Sequence, residues 1–127
     1  MPVTLTLPSE KGTLLDKPEM EKNLTDLRDA VNVARLETIT VNSASYNAGT
    51  KQVILADATA ANVNIDLPVS SGALDVVYII KKIDATVNTV TVTANGAETI
   101  DGSNTVVLTT QYEKVSIICD GTAWYVL

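Results

Sequence analysis

The sequence predicts a mainly β protein, a β-sandwich or small barrel of eight to nine short antiparallel strands, preceded by an extended N-terminal arm and one α-helix. Three observations predict it. Apolar residues make up 46% of the chain, yet there is no Phe and only one Trp. The core must therefore come from Val, Ile, Leu and Ala, which with abundant Thr favour pleated backbone. From Glu37 onward, short alternating runs are broken by turn residues about every ten positions, as in sandwiches and barrels. Helical periodicity appears once, between Lys17 and Leu36. These observations divide the chain into residues 1–36, an arm and helix for docking or oligomerisation, and a β-domain at 37–127.

In the arm, Val3, Leu5 and Leu7 alternate with Thr4 and Thr6 until Pro8. Such a segment suits its own sheet or the exposed edge of a neighbour's. Asp16 is placed to cap the helix, with Glu19 completing a capping-box-like pattern and Pro18 in the first turn, where no N–H is needed. Met20, Leu24, Leu27, Val31 and Ala34 recur at spacings of four and three, an a/d seam over about two heptads. An otherwise all-β chain offers that seam few helical partners, so it is expected to join subunits.

The expected strands follow in order. Thr38–Val41 comes first; residues 43–50, with Asn47 and Gly49, read as a loop. Residues 52–56 form the next strand, and Val63, Ile65 and Leu67 mark a half-buried one ended by Pro68. Ser70-Ser71-Gly72 is a loop. Residues 74–83 read as a long strand whose apolar run Val76–Ile80 looks buried on both faces. Val87, Val90 and Val92 share a strand that ends at Asn95-Gly96, a hairpin signal. Residues 104–109, 112–119 and 122–127 complete the set, after the turn pair Asp101-Gly102 and across Asp120-Gly121. Each Asp-Gly pair favours φ > 0 at both turn centres and is expected to close a two-residue hairpin. Alternation puts Val115, Ile117 and Cys119 on one face, Lys114 and Ser116 on the other. Trp124 shares a face with Val126, and Tyr125 takes the opposite one. Trp124 is expected in the core, and the apolar end at Leu127 is expected to be tied into a sheet.

The composition excludes much chemistry. Net charge is −6, the wrong sign for sequence-independent nucleic-acid binding or for an anionic membrane surface. There is no His, which removes the Ser-His-Asp triad and most zinc sites. The single Cys119 is expected as a buried thiol. No phosphate-cradling glycine motif occurs. A carboxylate pair such as Glu98 and Asp101 has the chemistry for acid–base work, but turn formation already explains Asp101. Asp57, Asp66, Asp75 and Asp84 lie near strand ends and read as solvated loop carboxylates, without a calcium-loop pattern. No catalytic residue, cofactor or metal is expected. No signal peptide or membrane span is apparent, so a cytoplasmic site of synthesis is expected. Among the few aromatics, Tyr112 and Tyr125 are the candidates for surface contacts.

The run Thr99-Ile100-Asp101-Gly102, then Val107-Leu108, then Gln111-Tyr112-Glu113-Lys114-Val115, then Asp120-Gly121-Thr122-Ala123-Trp124-Tyr125-Val126 resembles the closing β-module of tailed-bacteriophage virion proteins. Tail spikes, fibres and capsid-decorating proteins carry variants of it, and the resemblance covers roughly Asp75 to Leu127. It implies a trimer with a structural role in the virion. The chain is short and begins at its own Met1, which favours a small accessory subunit. The leading expectation is a capsid decoration, or cement, protein attached to a phage capsid or tail protein through its N-terminal region. The alternative is a tail fibre or baseplate subunit that binds a host surface glycan.

Overall fold

The computed structural model describes residues 18, 20–24 and 36–127. The chain divides into two units, Met1–Arg35 and Leu36–Leu127. In the first, residues 18 and 20–24 are helical. The arm, the Asp16 cap with Glu19, and the seam positions Leu27, Val31 and Ala34 lie outside the described residues.

The second unit is mainly β and sandwich-like, with nine strands among the described residues. They are β1 (Thr38–Val41), β2 (Ser45–Asn47), β3 (Val53–Ala56), β4 (Val63–Asp66), β5 (Val77–Lys82), β6 (Val90–Thr93), β7 (Thr105–Leu108), β8 (Lys114–Cys119) and β9 (Trp124–Val126). One sheet has the order β1-β3-β5-β8-β9 and the other β2-β4-β6-β7. Two separate sheets exclude the barrel.

The expected antiparallel arrangement holds only for the later strands. β1, β3 and β5 are parallel, as are β2, β4 and β6. The pairs β5–β8, β6–β7 and β8–β9 are antiparallel. The cause is the path of the chain. Each of the first five strands is followed by one in the opposite sheet, so through β6 a strand meets its partner only after an intervening strand, and in the same direction. Thr38 pairs with Val53, and Val53 with Ile79, so no constant period marks these coils in the sequence.

Several local expectations change with this path. β2 lies inside the segment expected to be a loop, and Tyr46 packs against the core from it. Residues 70–72 form a single 3-10 turn. The long strand begins only at Val77; Leu74 is exposed, and Asp75 adopts φ 66°. Val87 is 94% exposed, outside β6. The Asn95-Gly96 pair makes a turn closed by Glu98 N–H to Asn95 O at 2.9 Å, not a hairpin; β6 and β7 are joined by the whole of 94–104. Asp101 and Gly102 have φ of 50° and 85°, and Ile100 and Ser103 exchange both hydrogen bonds, which is the expected two-residue turn. At the last hairpin Cys119 pairs with Trp124, so the loop runs from 120 to 123 and Asp120 is not at a turn centre. Its carboxylate accepts the N–H groups of Thr122 and Ala123, while Gly121 alone takes φ 95°.

The core lies between the sheets and is aliphatic, built from side chains such as Ile54, Ile65, Ile80, Val92 and Ile117. Trp124 is fully buried beside Tyr78, with ring centroids 5.7 Å apart, and Cys119 is buried, both as alternation requires. Tyr78 reaches out of the core to donate to Gly49 O at 2.7 Å, so its hydroxyl is satisfied.

Candidate interaction surface

Tyr112 and Tyr125 lie in different settings. Tyr112 is in the turn between β7 and β8, is 61% exposed and has φ 68°, an unusual conformation for a bulky residue. The turn is pinned from three sides. Tyr112 N–H donates to Lys82 O at 2.7 Å. Gln111 Nε2 donates to Ile83 O at 3.2 Å. Glu113 Oε1 accepts the N–H groups of Thr109 and Thr110 at 2.8 and 3.0 Å. Those two backbone donors hold the Glu113 carboxyl below its usual value. The Lys81 ammonium stands 5.5 Å from the Tyr112 ring centroid, a cation–π distance. Lys114 is directly across the ladder from Lys81, so two like charges are cross-strand neighbours there.

Tyr125 sits on β9, an edge of the five-stranded sheet. That edge is closed by the 99–101 segment. Trp124 N–H donates to Thr99 O at 2.9 Å, and Asp101 N–H donates to Trp124 O at 3.0 Å. Asp101 Oδ1 then accepts Val126 N–H at 3.1 Å. Leu127 N–H donates to Ser116 O at 2.7 Å, while its side chain is exposed.

The outer face of the four-stranded sheet is nearly all polar, and that of the five-stranded sheet is mixed. On the four-stranded sheet, β2 presents Ser45 and Asn47, β4 Asn64 and Asp66, and β6 Thr91 and Thr93. Thr93 Oγ1, Asn64 and Asp66 are joined by hydrogen bonds across this face. Only Val107 on β7 breaks the polar pattern. On the five-stranded sheet, β1 presents Thr38 and Thr40, β3 Val53 and Leu55, β5 Val77, Ile79 and Lys81, β8 Lys114, Ser116 and Ile118, and β9 Tyr125. The register joins them, Val53 beside Ile79, Val77 beside Ile118, and Ile118 beside Tyr125. The run Val76–Ile80, expected to be buried on both faces, is buried only at Tyr78 and Ile80; its outer side chains are half-buried.

Several carboxylates hold local structure. Glu98 and Asp101 each hold a different part of the chain. Glu98 accepts Ser70 N–H and Oγ–H, while Asp101 holds Val126. Asp57 binds Thr59 N–H, and hydrogen bonds from Thr59 keep its carboxyl below the usual value. Asp84 is not the solvated loop group expected. It is 7% exposed and bonded to Lys82, which is fully buried. Lys82 Nζ donates to Asp84 Oδ2 at 2.8 Å, Asp84 O at 2.9 Å and Thr86 O at 3.1 Å, using all three protons. Asp84 also accepts from Ala58 N at 2.8 Å, Thr86 N at 3.0 Å and the Thr86 hydroxyl. Burial pushes the Asp84 carboxyl up, but the donors from Lys82, Thr86 and Ala58 together outweigh it and hold it far below the usual range. The signal for this pair was in the sequence: the inward phase of Tyr78 and Ile80 continues onto Lys82.

Among the described residues no group of three or more His, Cys, Asp or Glu is placed to hold a metal ion. No helix among them is long and apolar enough to cross a membrane. Of the seam, Met20 and Leu24 are 51% and 65% exposed. The sequence matches no protein-family model and no curated protein.

Proposed function

We propose that the chain is a structural subunit of a tailed-bacteriophage particle, a homotrimeric capsid decoration protein that binds the assembled head and stabilises it. The observation that carries this reading is how the residues of the phage-like stretch are spent. Asp101-Gly102 forms the turn that lets Asp101 close the edge of β9. Asp120 orders the last loop, and Trp124 plugs the core. These are architectural tasks, in keeping with a module that presents or supports a surface. The a/d seam, whose Met20 and Leu24 are exposed, supports self-association. Residues 1–36 would supply the contact with the particle. A subunit that binds the assembled lattice and not its separated parts stabilises the lattice by mass action.

Purified particles test this directly. Antibody-labelled cryo-microscopy should place the chain on the head, in sets of three. Its absence from the particle would refute the reading.

The alternative is a tail fibre or baseplate subunit that binds a host glycan. The exposed Tyr112, beside Lys81 in a pinned turn, favours it, because an aromatic face with a polar neighbour suits a sugar ring. Label at the tail tip, with a glycan-array signal lost in Tyr112→Ala, would select it.

A further inference from the structure

We propose that Asn95 is a self-modifying site: its exposed, unbonded amide closes on the free backbone nitrogen of Gly96, loses ammonia, and is opened by water to an aspartyl or isoaspartyl link. The proposal is independent of the virion reading, and water is the only reagent besides the chain. The Gly96 nitrogen gives up its proton and attacks Asn95 Cγ, forming a cyclic imide. The Cγ–Nδ2 bond breaks, and Nδ2 takes a proton and leaves as ammonia. Water then adds to one ring carbonyl. Opening at the side-chain carbonyl gives an ordinary aspartyl link. Opening at the main-chain carbonyl gives an isoaspartyl link, in which the backbone runs through Cβ and is longer by a methylene.

The first support is how this turn is held. Asn95 is the only Asn in the chain that is followed by Gly, whose lack of a Cβ leaves its nitrogen open to close approach. Both residues are exposed, and no heavy atom lies within 4 Å of where a Cβ on Gly96 would stand. Gly96 takes φ 55°, so the turn bends at the reacting bond. The turn is anchored through its carbonyls. Asn95 O accepts Glu98 N–H at 2.9 Å, and Asn104 Nδ2 donates to Gly96 O at 3.0 Å and to Glu98 O at 2.8 Å. Among the described residues, the Asn95 amide and the Gly96 N–H have no hydrogen-bond partner. The two reacting groups are therefore the parts of the turn left free.

The second support is the contrast with the competing positions. Asp101-Gly102 and Asp120-Gly121 can form the same ring, but both are restrained. The Asp101 carboxylate is turned to Val126 N–H, and its own N–H to Trp124 O. Asp120 Oδ1 accepts Thr122 N–H, the Thr122 hydroxyl and Ala123 N–H, and Gly121 N–H points at Cys119 Sγ at 3.3 Å. The Thr122 and Ala123 donors also hold the Asp120 carboxyl below its usual value, and an ionised carboxylate is a poor electrophile. The amides of Asn64, Asn88 and Asn104 are hydrogen-bonded, and each precedes a β-branched residue.

The test incubates the full chain, folded and in urea, at neutral pH and maps it over time by peptide mass spectrometry, with isoaspartyl links read by methyltransferase labelling. In the folded chain the peptide holding Asn95 is expected to gain one mass unit and one negative charge. Every other Asn, and both Asp-Gly pairs, should still be intact when half of Asn95 has converted. Isoaspartyl links at Asp101 and Asp120 are expected only in urea, where their restraints are gone. Asn95→Gln, whose longer side chain must close a larger and slower ring, is expected to lose the conversion and keep the β circular-dichroism signal. Should that variant not fold, the peptide map of the unmutated chain still decides. Conversion at Asn95 in urea but not in the folded chain would mean that the turn keeps the amide from the Gly96 nitrogen, which overturns the proposal. Earlier conversion at any other residue of the folded chain, or none at Asn95 in either state, would also overturn it.

Discussion

Asp101 grips the last strand twice, donating its N–H to Trp124 O at 3.0 Å and accepting Val126 N–H on its carboxylate at 3.1 Å. It does so from a left-handed conformation, φ 50°, which the following Gly102 continues. The turn thus points a carboxylate at the row of backbone donors that an edge strand leaves open.

Asp101→Ala should remove the acceptor and strain the turn, costing about 1–2 kcal/mol. Asp101→Asn keeps a side-chain acceptor and tolerates this backbone, so its cost should stay within about 0.5 kcal/mol. Urea unfolding of the two variants measures the difference. Equal losses would mean that the carboxylate's grip on Val126 is unimportant.

Trp124 is fully buried, and its indole Nε1 has no hydrogen-bond partner among the described residues. Trp124→Ala should cost about 3–5 kcal/mol in chemical denaturation. Trp124→Phe should cost less, because it fills part of the space and removes a buried donor left unsatisfied. A loss below about 1 kcal/mol for the Ala variant would place the side chain at the surface.

Lys82 and Asp84 make a pair whose partners cannot be removed singly without penalty. Asp84→Asn leaves the buried ammonium without a counter-charge and should cost about 3–5 kcal/mol, read from the shift of the urea midpoint at pH 7. A change below about 1 kcal/mol would show that water reaches Lys82 once its partner is gone.

The same carboxylate gives a pH signature. Asp84, Glu113 and Asp120 all titrate below their usual values in the folded chain. An unfolded Asp titrates near about 4, so the unfolded chain binds protons first as pH falls. The stability these groups supply is complete above that value and is lost as pH drops through the folded values. The urea midpoint should therefore be level from pH 7 to about 5 and fall below about 4. The fall should be shallower in Asp84→Asn. Stability rising on acidification below pH 4 would contradict the assignment.

How far the sequence could be read depends on what each signal reports. Alternation reports which face a residue takes, so the burial of Trp124, Cys119 and Ile117 was legible. It carries no information on strand direction, and turns every ten residues fit a meander as well as a chain that crosses between sheets. Hence the parallel pairings of β1 through β6 were missed. β2 was missed because Ser-Tyr-Asn offers no alternating apolar pair, and its one inward side chain, Tyr46, reads equally as a loop aromatic. The Asp-Gly signal held at 101–102, where Ile100 and Ser103 pair directly. At 120–121 the loop is longer, and Asp120 serves it with its side chain. The exposed Tyr112 and Tyr125 could be named from the sequence, but not the Lys81 beside Tyr112, because that neighbourhood exists only once β5 and β8 pair.

As proposed, the chain works as an assembly of identical copies, held by the a/d seam and the β-domain together. Burying about four aliphatic side chains of each helix offers about 6–10 kcal/mol gross, much of it offset by ordering. The seam alone should therefore associate weakly. Sedimentation equilibrium of the unmutated chain at micromolar concentration is the most direct test. It should return three times the 13.5-kDa chain mass, and Leu27→Asp should shift it toward monomer with the β signal kept. A monomer for the unmutated chain would contradict the account.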